Sequence, residues 1–362
     1  MDRKLETYLN FEVLITPLGS GANFHFEQFS QGNSTLKRQE KIGFEGESYF
    51  AGMFTQWSEN KFDKLLMEAV KQLKEKNSKA LLSHSKTLYI LSSTKGNRTD
   101  FPKDTFRSSR EIVQRELEAA HPLLIVSNAC ISGLVAIQTA VDYLHSGKYD
   151  QIFVIGIDLI DEFILYGFES LFALSKTICK PFDAKRDGIN LGEACGIVSI
   201  RREQSTEFAA RYISGASSND ANHISGPSRT GAGLVKALNL CFDRAQMDAS
   251  QVDFISAHGT ATKFNDEMEC IAFTRLKLEK TPCHSLKPLV GHSLGASGVI
   301  EILLELTSLN KGLFFKNLGF ESSDSETPIE ILTQNKEIQV QNLLKTASGF
   351  GGGNAAILIE KP

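Results

Sequence analysis

The sequence predicts an α/β fold built around largely parallel β-sheet. Three observations carry that reading. Short apolar runs of strand length recur along the chain, stretches with helical apolar spacing lie between them, and the composition is that of a soluble globular protein. Of 362 residues, 41% are apolar and 23% charged, which sets the chain apart from disordered sequences. At about 150 residues per domain, this length accommodates one large α/β unit or two fused halves.

The runs read as buried strands are Thr87 to Leu91, Pro122 to Val126, Ile152 to Ile157, Ile197 to Ile200, Val252 to Ser256 and Ala355 to Ile359. The clearest helix carries Phe62, Leu65, Leu66, Ala69, Val70 and Leu73 on one face. Its other face holds Lys61, Lys64, Lys71, Lys74 and Lys76, as a solvated surface would. Further helices are expected from Ile131 to Leu144, ending before Gly147, from Ala232 to Ala245, and from Ala296 to Leu309. Loops are expected at Ser322 to Pro328 and in the polar stretch Gly96 to Ser109.

Charge and cysteine usage narrow the function. The chain has 39 basic and 43 acidic residues, a formal net charge of −4, and no basic stripe. No nucleic-acid partner is therefore expected. The opening MDRKLETYLN lacks the apolar core of a signal peptide. No apolar run reaches the about 18 residues of a membrane span. Six irregularly spaced cysteines without a CxxC pair argue against a zinc ribbon or a disulfide scaffold. No metal site is expected, and the expected setting is a reducing cytosol.

Five motifs could carry chemistry. In HPLLIVSNACISG a strand enters a turn of small residues and then a helix, with Cys130 at the junction. Free N–H groups and the helix dipole would favour a thiolate there; a small buried hydrophobe is the other reading of a free cysteine. In SAHGTATKFND, His258 follows a strand, where ligands bind in parallel sheets. Thr260 and Thr262 supply hydroxyls, and Asn265 and Asp266 could brace the loop. A purely structural histidine remains open.

In KPLVGHSLGASG, small residues surround His292, five positions after Lys287. Gly291 to Gly295 also fits the G-x-S-x-G elbow of α/β-hydrolases. That triad needs a histidine after its serine, and none follows His292, so the esterase reading fails on order alone. In KPFDAKRDGINLGEACG, Asp183, Arg186, Asp187 and Glu193 suggest a tied, charged turn. In SGFGGGNAA, four glycines in nine residues imply unusual backbone angles. That run makes a poor phosphate loop, since no Lys-Ser/Thr pair or helix follows.

Taken in order, these motifs resemble the β-ketoacyl synthases of the thiolase superfamily. NACISG is similar to the nucleophile motif, PFDAKRDGINLGE to the charged turn, and SAHGTATKFND to the first histidine motif. KPLVGHSLGASG is similar to the lysine and second-histidine motif and SGFGGGNAA to the terminal glycine loop, while ITPLGSGANFHFEQFSQGNS looks like the opening strand and turn. The resemblance implies a thiolase-like fold, in which two similar α/β halves form five layers, αβαβα. Residues 1–201 would carry Cys130 and residues 202–362 both histidines.

The resemblance further implies an elongating condensing enzyme acting on acyl and malonyl thioesters of acyl carrier protein. Cys130 would take the acyl chain, with His258 and His292 stabilising the enolate and Lys287 ordering the site. Backbone N–H groups of Cys130 and Phe350 would hold the oxyanion, and Phe350 would act as gate. Glu301 and Asp266 would support, Thr260 and Thr262 would hold the phosphopantetheine arm, and Phe168 would line the pocket. No cofactor is implied, because phosphopantetheine arrives on the carrier protein. A homodimer is implied, or a heterodimer with a ketosynthase-like subunit.

Three departures mark a divergent member. The stretch between Arg98 and His121 is shorter than in elongating synthases, Ala194-Cys195 replaces Gly-Ala, and Ser348 replaces an aromatic residue. A non-catalytic partner subunit, of the chain-length-factor kind, is the alternative that these departures raise.

Overall fold

A computed structural model describes residues 6–57, 59–220 and 226–362. Residues 1–5, on which the N-terminal reading partly rests, lie outside them. Ten strands carry the architecture: β1 (Tyr8–Thr16), β2 (Thr87–Ser92), β3 (Leu124–Val126), β4 (Gln151–Asp158), β5 (Ala194–Arg201), β6 (Ala209–Asn219), β7 (Phe254–Ser256), β8 (Cys283–His284), β9 (Asn342–Gly349) and β10 (Gly353–Glu360). Eight helices accompany them: α1 (Ala22–Ser30), α2 (Lys61–Lys76), α3 (Arg107–Leu117), α4 (Ser132–His145), α5 (Glu162–Ser170), α6 (Ala232–Ala245), α7 (Lys263–Arg275) and α8 (Ser297–Lys311).

The strands run in the order β8-β7-β9-β10-β6-β1-β5-β4-β2-β3. Parallel pairing is confined to the two flanks, β7 with β8 and β9, and β2 with β3 and β4. The middle of the sheet is antiparallel. This corrects the expectation of largely parallel sheet. The cause is local: β9 and β10 are joined by three residues, 350–352, a connection that permits only an antiparallel hairpin. Strands β6, β8 and β9, along with helices α1, α3, α5 and α7, went unread in the sequence. The first half of Gly96 to Ser109 is irregular as expected, but α3 begins at Arg107.

Side-chain alternation builds the layers. On β4, Ile152 and Val154 face one core while Phe153, Ile155 and Ile157 face another. On β10, Ala355, Ile357 and Ile359 face that same first core, whereas Ala356 and Leu358 face a third. The shared core holds α4 and α8, buried between the two parts of the sheet. Helices α2 and α3 cover one outer face, and α6 and α7 cover the other. The result is the five-layer αβαβα order of a thiolase-like fold. No helix among the described residues is long and apolar enough to cross a membrane.

Helix α2 buries the six apolar residues that its spacing marks, and Lys64, Lys71, Lys74 and Lys76 stand outside, whereas Lys61 is half-buried and pairs with buried Glu193. Helix α8 is buried continuously from Ser297 to Leu309, Glu301 and Glu305 included, and α4 buries Leu134, Ala136, Ile137, Ala140, Val141 and Leu144 between the sheet parts. Both begin with Ser-Gly, and the two glycines pack against each other: a Cβ on Gly133 would lie 2.7 Å from the Val299 nitrogen, and one on Gly298 would lie 2.7 Å from that of Leu134. This backbone contact brings the two helix starts, and the loops before them, side by side.

Candidate active site

Cys130 sits on the turn between β3 and α4. Ala129 takes φ +44°, a left-handed conformation costing a non-glycine residue about 1–2 kcal/mol. Ser132 holds that turn, its hydroxyl accepting from the Asn128 N–H at 2.7 Å and donating to the Ala129 carbonyl at 2.6 Å. Gly349 lets β9 approach, since its Cβ would lie 3.1 Å from the Cys130 nitrogen.

The loop before α8 delivers His292. Its Nε2 lies 3.0 Å from Cys130 Sγ, and its Nδ1 shares a 2.8 Å bond with the Ser297 hydroxyl. His258 arrives from the end of β7, with its ring 5.3 Å from that of His292 and nearly perpendicular to it. His258 Nδ1 is buried and finds no hydrogen-bond partner among the described residues. Thus the structure brings together Cys130, His258 and His292, three residues spread over 163 positions of the chain.

Buried charges support the two imidazoles. Lys287 Nζ donates to the His258 carbonyl at 3.0 Å and to Glu301 at 2.5 Å. Lys345, which the sequence reading missed, pairs with the other oxygen of Glu301 at 2.6 Å. Burial holds both imidazoles well below their ordinary range, and the Lys287 and Lys345 cations push the same way. Burial alone would raise Glu301, but the two lysines outweigh it and keep its carboxyl below the usual value.

The expectation of a thiolate favoured by the α4 dipole is corrected. Helix α4 starts two residues after Cys130. Burial pushes the thiol up to about 11, against the opposing pull of Lys287 and the Phe350 backbone N–H. A neutral thiol beside a neutral imidazole can give up its proton only as it reacts.

The other predicted residues fall as follows. Asp266, on the first turn of α7, accepts from the N–H groups of Thr260 at 2.9 Å and Phe182 at 2.7 Å. It therefore braces the histidine loop, and burial raises its carboxyl to about 7. Asn265 bonds Glu269, whose carboxylate accepts from the N–H groups of His258 and Gly259. Thr260 and Thr262 are joined through their hydroxyls at 2.8 Å. Phe350 occupies the three-residue turn between β9 and β10 and stacks on Phe168 of α5, with ring centres 5.5 Å apart. Ser348 donates to Asn354 across the base of that turn at 2.8 Å.

The charged turn is tied differently from expectation. Asp183 accepts from the N–H groups of Lys185, Glu321 and Ser322, and Arg186 pairs with Asp324. Glu193 belongs elsewhere: it accepts from the N–H groups of Phe54 and Ile160 and pairs with Lys61. Also unread was Asp158, fully buried at the end of β4. It accepts from Ser93, Thr94 and the Gly295 N–H, so it fastens the His292 loop to β2.

Cys130, both histidines, Thr260, Thr262, Phe168 and Phe350 line one cavity of about 1090 Å³. Its wall also carries both basic and acidic side chains, Arg186, Arg229 and Lys263 with Asp187, Asp220 and Glu267, while Leu171, Phe172 and Phe264 are exposed apolar residues on it. Among the described residues, no group of three histidine, cysteine or carboxylate side chains is arranged to hold a metal ion.

Known proteins are similar to this chain in sequence and in fold. Residues 112–206 match the beta-ketoacyl synthase N-terminal domain family and residues 210–321 the C-terminal domain family. A putative polyketide beta-ketoacyl synthase 1 from Streptomyces halstedii is 28% identical over 76% of this chain and 71% of its own length. One from Streptomyces virginiae is 30% identical over 67% of this chain and 61% of its own. A ketosynthase structure, ApeO in complex with its chain length factor ApeC from Xenorhabdus doucetiae, superposes with a TM-score of 0.89 at 24% identity, covering 100% of this chain and 99% of that one. The ishigamide ketosynthase/chain length factor gives 0.87 at 20%, covering 99% and 100%. Two adjoining domain matches over the stretch that holds the cysteine and both histidines make this chain a member of the β-ketoacyl synthase family.

Proposed function

We propose that this chain is a β-ketoacyl synthase acting on acyl carrier protein in fatty acid, polyene or polyketide synthesis. The observation that carries the reading is the 3.0 Å contact of Cys130 Sγ with His292 Nε2 beside His258 in one cavity. Cys130 attacks the acyl thioester as His292 takes its proton, and that proton leaves on the released carrier thiol. The carrier's phosphopantetheine arm enters past Thr260 and Thr262, and no further cofactor is needed.

Malonyl thioester then fills the cavity. Its bond to the carboxylate breaks, carbon dioxide leaves, and the electron pair becomes an enolate held by N–H groups of His258 and His292. The enolate carbon attacks the acyl-Cys130 carbonyl, whose oxygen is held by the backbone N–H groups of Cys130 and Phe350. Collapse expels the Cys130 thiolate, which takes up the one proton that the overall reaction consumes. The hydroxyl of Ser297 can donate to or accept from His292 Nδ1. It thus serves both the base tautomer of the first step and the donor tautomer of the second.

The alternative is a non-catalytic subunit of a heterodimeric synthase. The observation favouring a paired state is strand β3, which bonds β2 along one edge and presents half-buried Leu124, Ile125 and Val126 at the end of the sheet. A second ketosynthase-fold chain, identical or not, fits that edge. Intact mass after incubation with acyl carrier protein thioesters separates the readings. An adduct lost in Cys130→Ala, with malonyl-dependent product, supports the enzyme. No adduct with short or long chains supports the partner subunit.

A further inference from the structure

Lys345 is a fully buried lysine to which the chemistry above gives no role. It lies on β9, directly across the parallel ladder from Ser256, the last residue of β7 and two positions before His258. Its side chain has no solvent exposure. Nζ is surrounded by the carbonyls of Ser256 at 3.1 Å, Ala257 at 3.1 Å and Thr346 at 2.9 Å, and by Glu301 at 2.6 Å.

Four oxygens share an ammonium that has only three N–H groups. An acceptor set larger than the donor count is what a spherical ion receives. Backbone carbonyls closing around a centre also replace the hydration of potassium. The separations exceed the about 2.3–2.6 Å of calcium–oxygen contacts. The cage therefore suits a monovalent cation of ammonium or potassium class.

We propose that Lys345 is a positioning residue whose ammonium serves as a tethered monovalent cation in an oxygen cage beneath the two histidines. It pins the carbonyls that end β7, and with them the backbone that aims His258. It also holds one oxygen of Glu301, leaving the other for Lys287. This inference rests on the condensing reading for its kinetic consequence but not for the cage itself. Removing the side chain while keeping the oxygens leaves an ion site, so a free cation should replace it.

The test uses the full chain as Lys345→Ala and Lys345→Met, each in potassium, ammonium, rubidium or tetramethylammonium chloride at equal ionic strength. Thermal midpoint is read together with kcat and KM for malonyl-carrier decarboxylation. The alanine variant is expected to lose about 10²-fold in kcat, the scale of a misplaced reacting group, with KM held. Potassium or ammonium should restore at least tenfold and raise its midpoint, whereas tetramethylammonium should do neither. Rubidium should give an anomalous peak among the Ser256, Ala257 and Thr346 oxygens in crystals.

The methionine variant fills the space without charge and should not respond to any salt. If the alanine variant does not fold, the methionine variant decides: loss of kcat with KM held supports the role, and wild-type kcat overturns it. Equal behaviour of the alanine variant in potassium and tetramethylammonium also overturns it. A wild-type chain without decarboxylation would defeat the condensing reading alone, since ion-specific midpoints and the rubidium peak still judge the cage.

Discussion

Gly133 and Gly298 touch backbone to backbone where the two central helices begin, and a Cβ on either would lie within about 3 Å of the other's main chain. Cys130 stands three residues before one glycine and His292 six before the other. The helix crossing therefore sets the distance between sulfur and imidazole.

Gly298→Ala should destabilise the chain by about 1–3 kcal/mol through overpacking. It should also slow Cys130 acylation more than the stability loss accounts for. Urea unfolding and acylation followed by intact mass on the same samples check this. Unchanged acylation in a destabilised variant would separate the crossing from the site.

Cys130 should behave as a buried neutral thiol. Its proton is held up to about 11 by burial, so the thiolate fraction should rise about tenfold per pH unit below that value. Iodoacetamide labelling of Cys130 should climb steadily from pH 6 to 9. A plateau near neutrality would mean that the helix start activates it after all.

His258 and His292 should make the fold acid-sensitive. Both are held well below 6.5, first by burial and then by Lys287, whereas in the unfolded chain they protonate near about 6.5. The unfolded state thus binds more protons, and the stability they contribute is present above that pH and lost below it. The urea midpoint should drop from pH 7.5 to 5.5, and His258→Gln should shrink the drop. An equal drop in the variant would assign the effect to other groups.

Glu301→Gln should be among the most damaging single changes. It strips the counter-charge from Lys287 and Lys345, both fully buried. Breaking buried pairs in this way costs about 3–5 kcal/mol. Differential scanning calorimetry should show the loss, and a variant within about 0.5 kcal/mol of wild type would mean that the lysines do not need the carboxylate.

The residues that build the site were legible because their motifs are local. Cys130, His258, Lys287 and His292 each sit in a strand-to-helix or loop segment whose small neighbours mark a close approach. Helices α2 and α6 were legible through their apolar spacing, and α2 buries the six residues that spacing marks. Strand β9 was not, because Lys345 interrupts Asn342–Gly349 with a charge that alternation assigns to solvent. Nothing local reveals that three carbonyls and Glu301 close around it.

The sequence by itself determined the α/β class, the buried face of α2, the family and the residues that could react. Tertiary structure decided the antiparallel centre of the sheet, the ionisation of Cys130 and the placement of Asp158, Glu301 and Lys345. The division has a physical cause. Periodicity and turn chemistry act over a few residues and are written in the chain. Burial, which raises the Cys130 thiol and requires a carboxylate between two lysines, exists only after β7, β9, α4 and α8 have packed together.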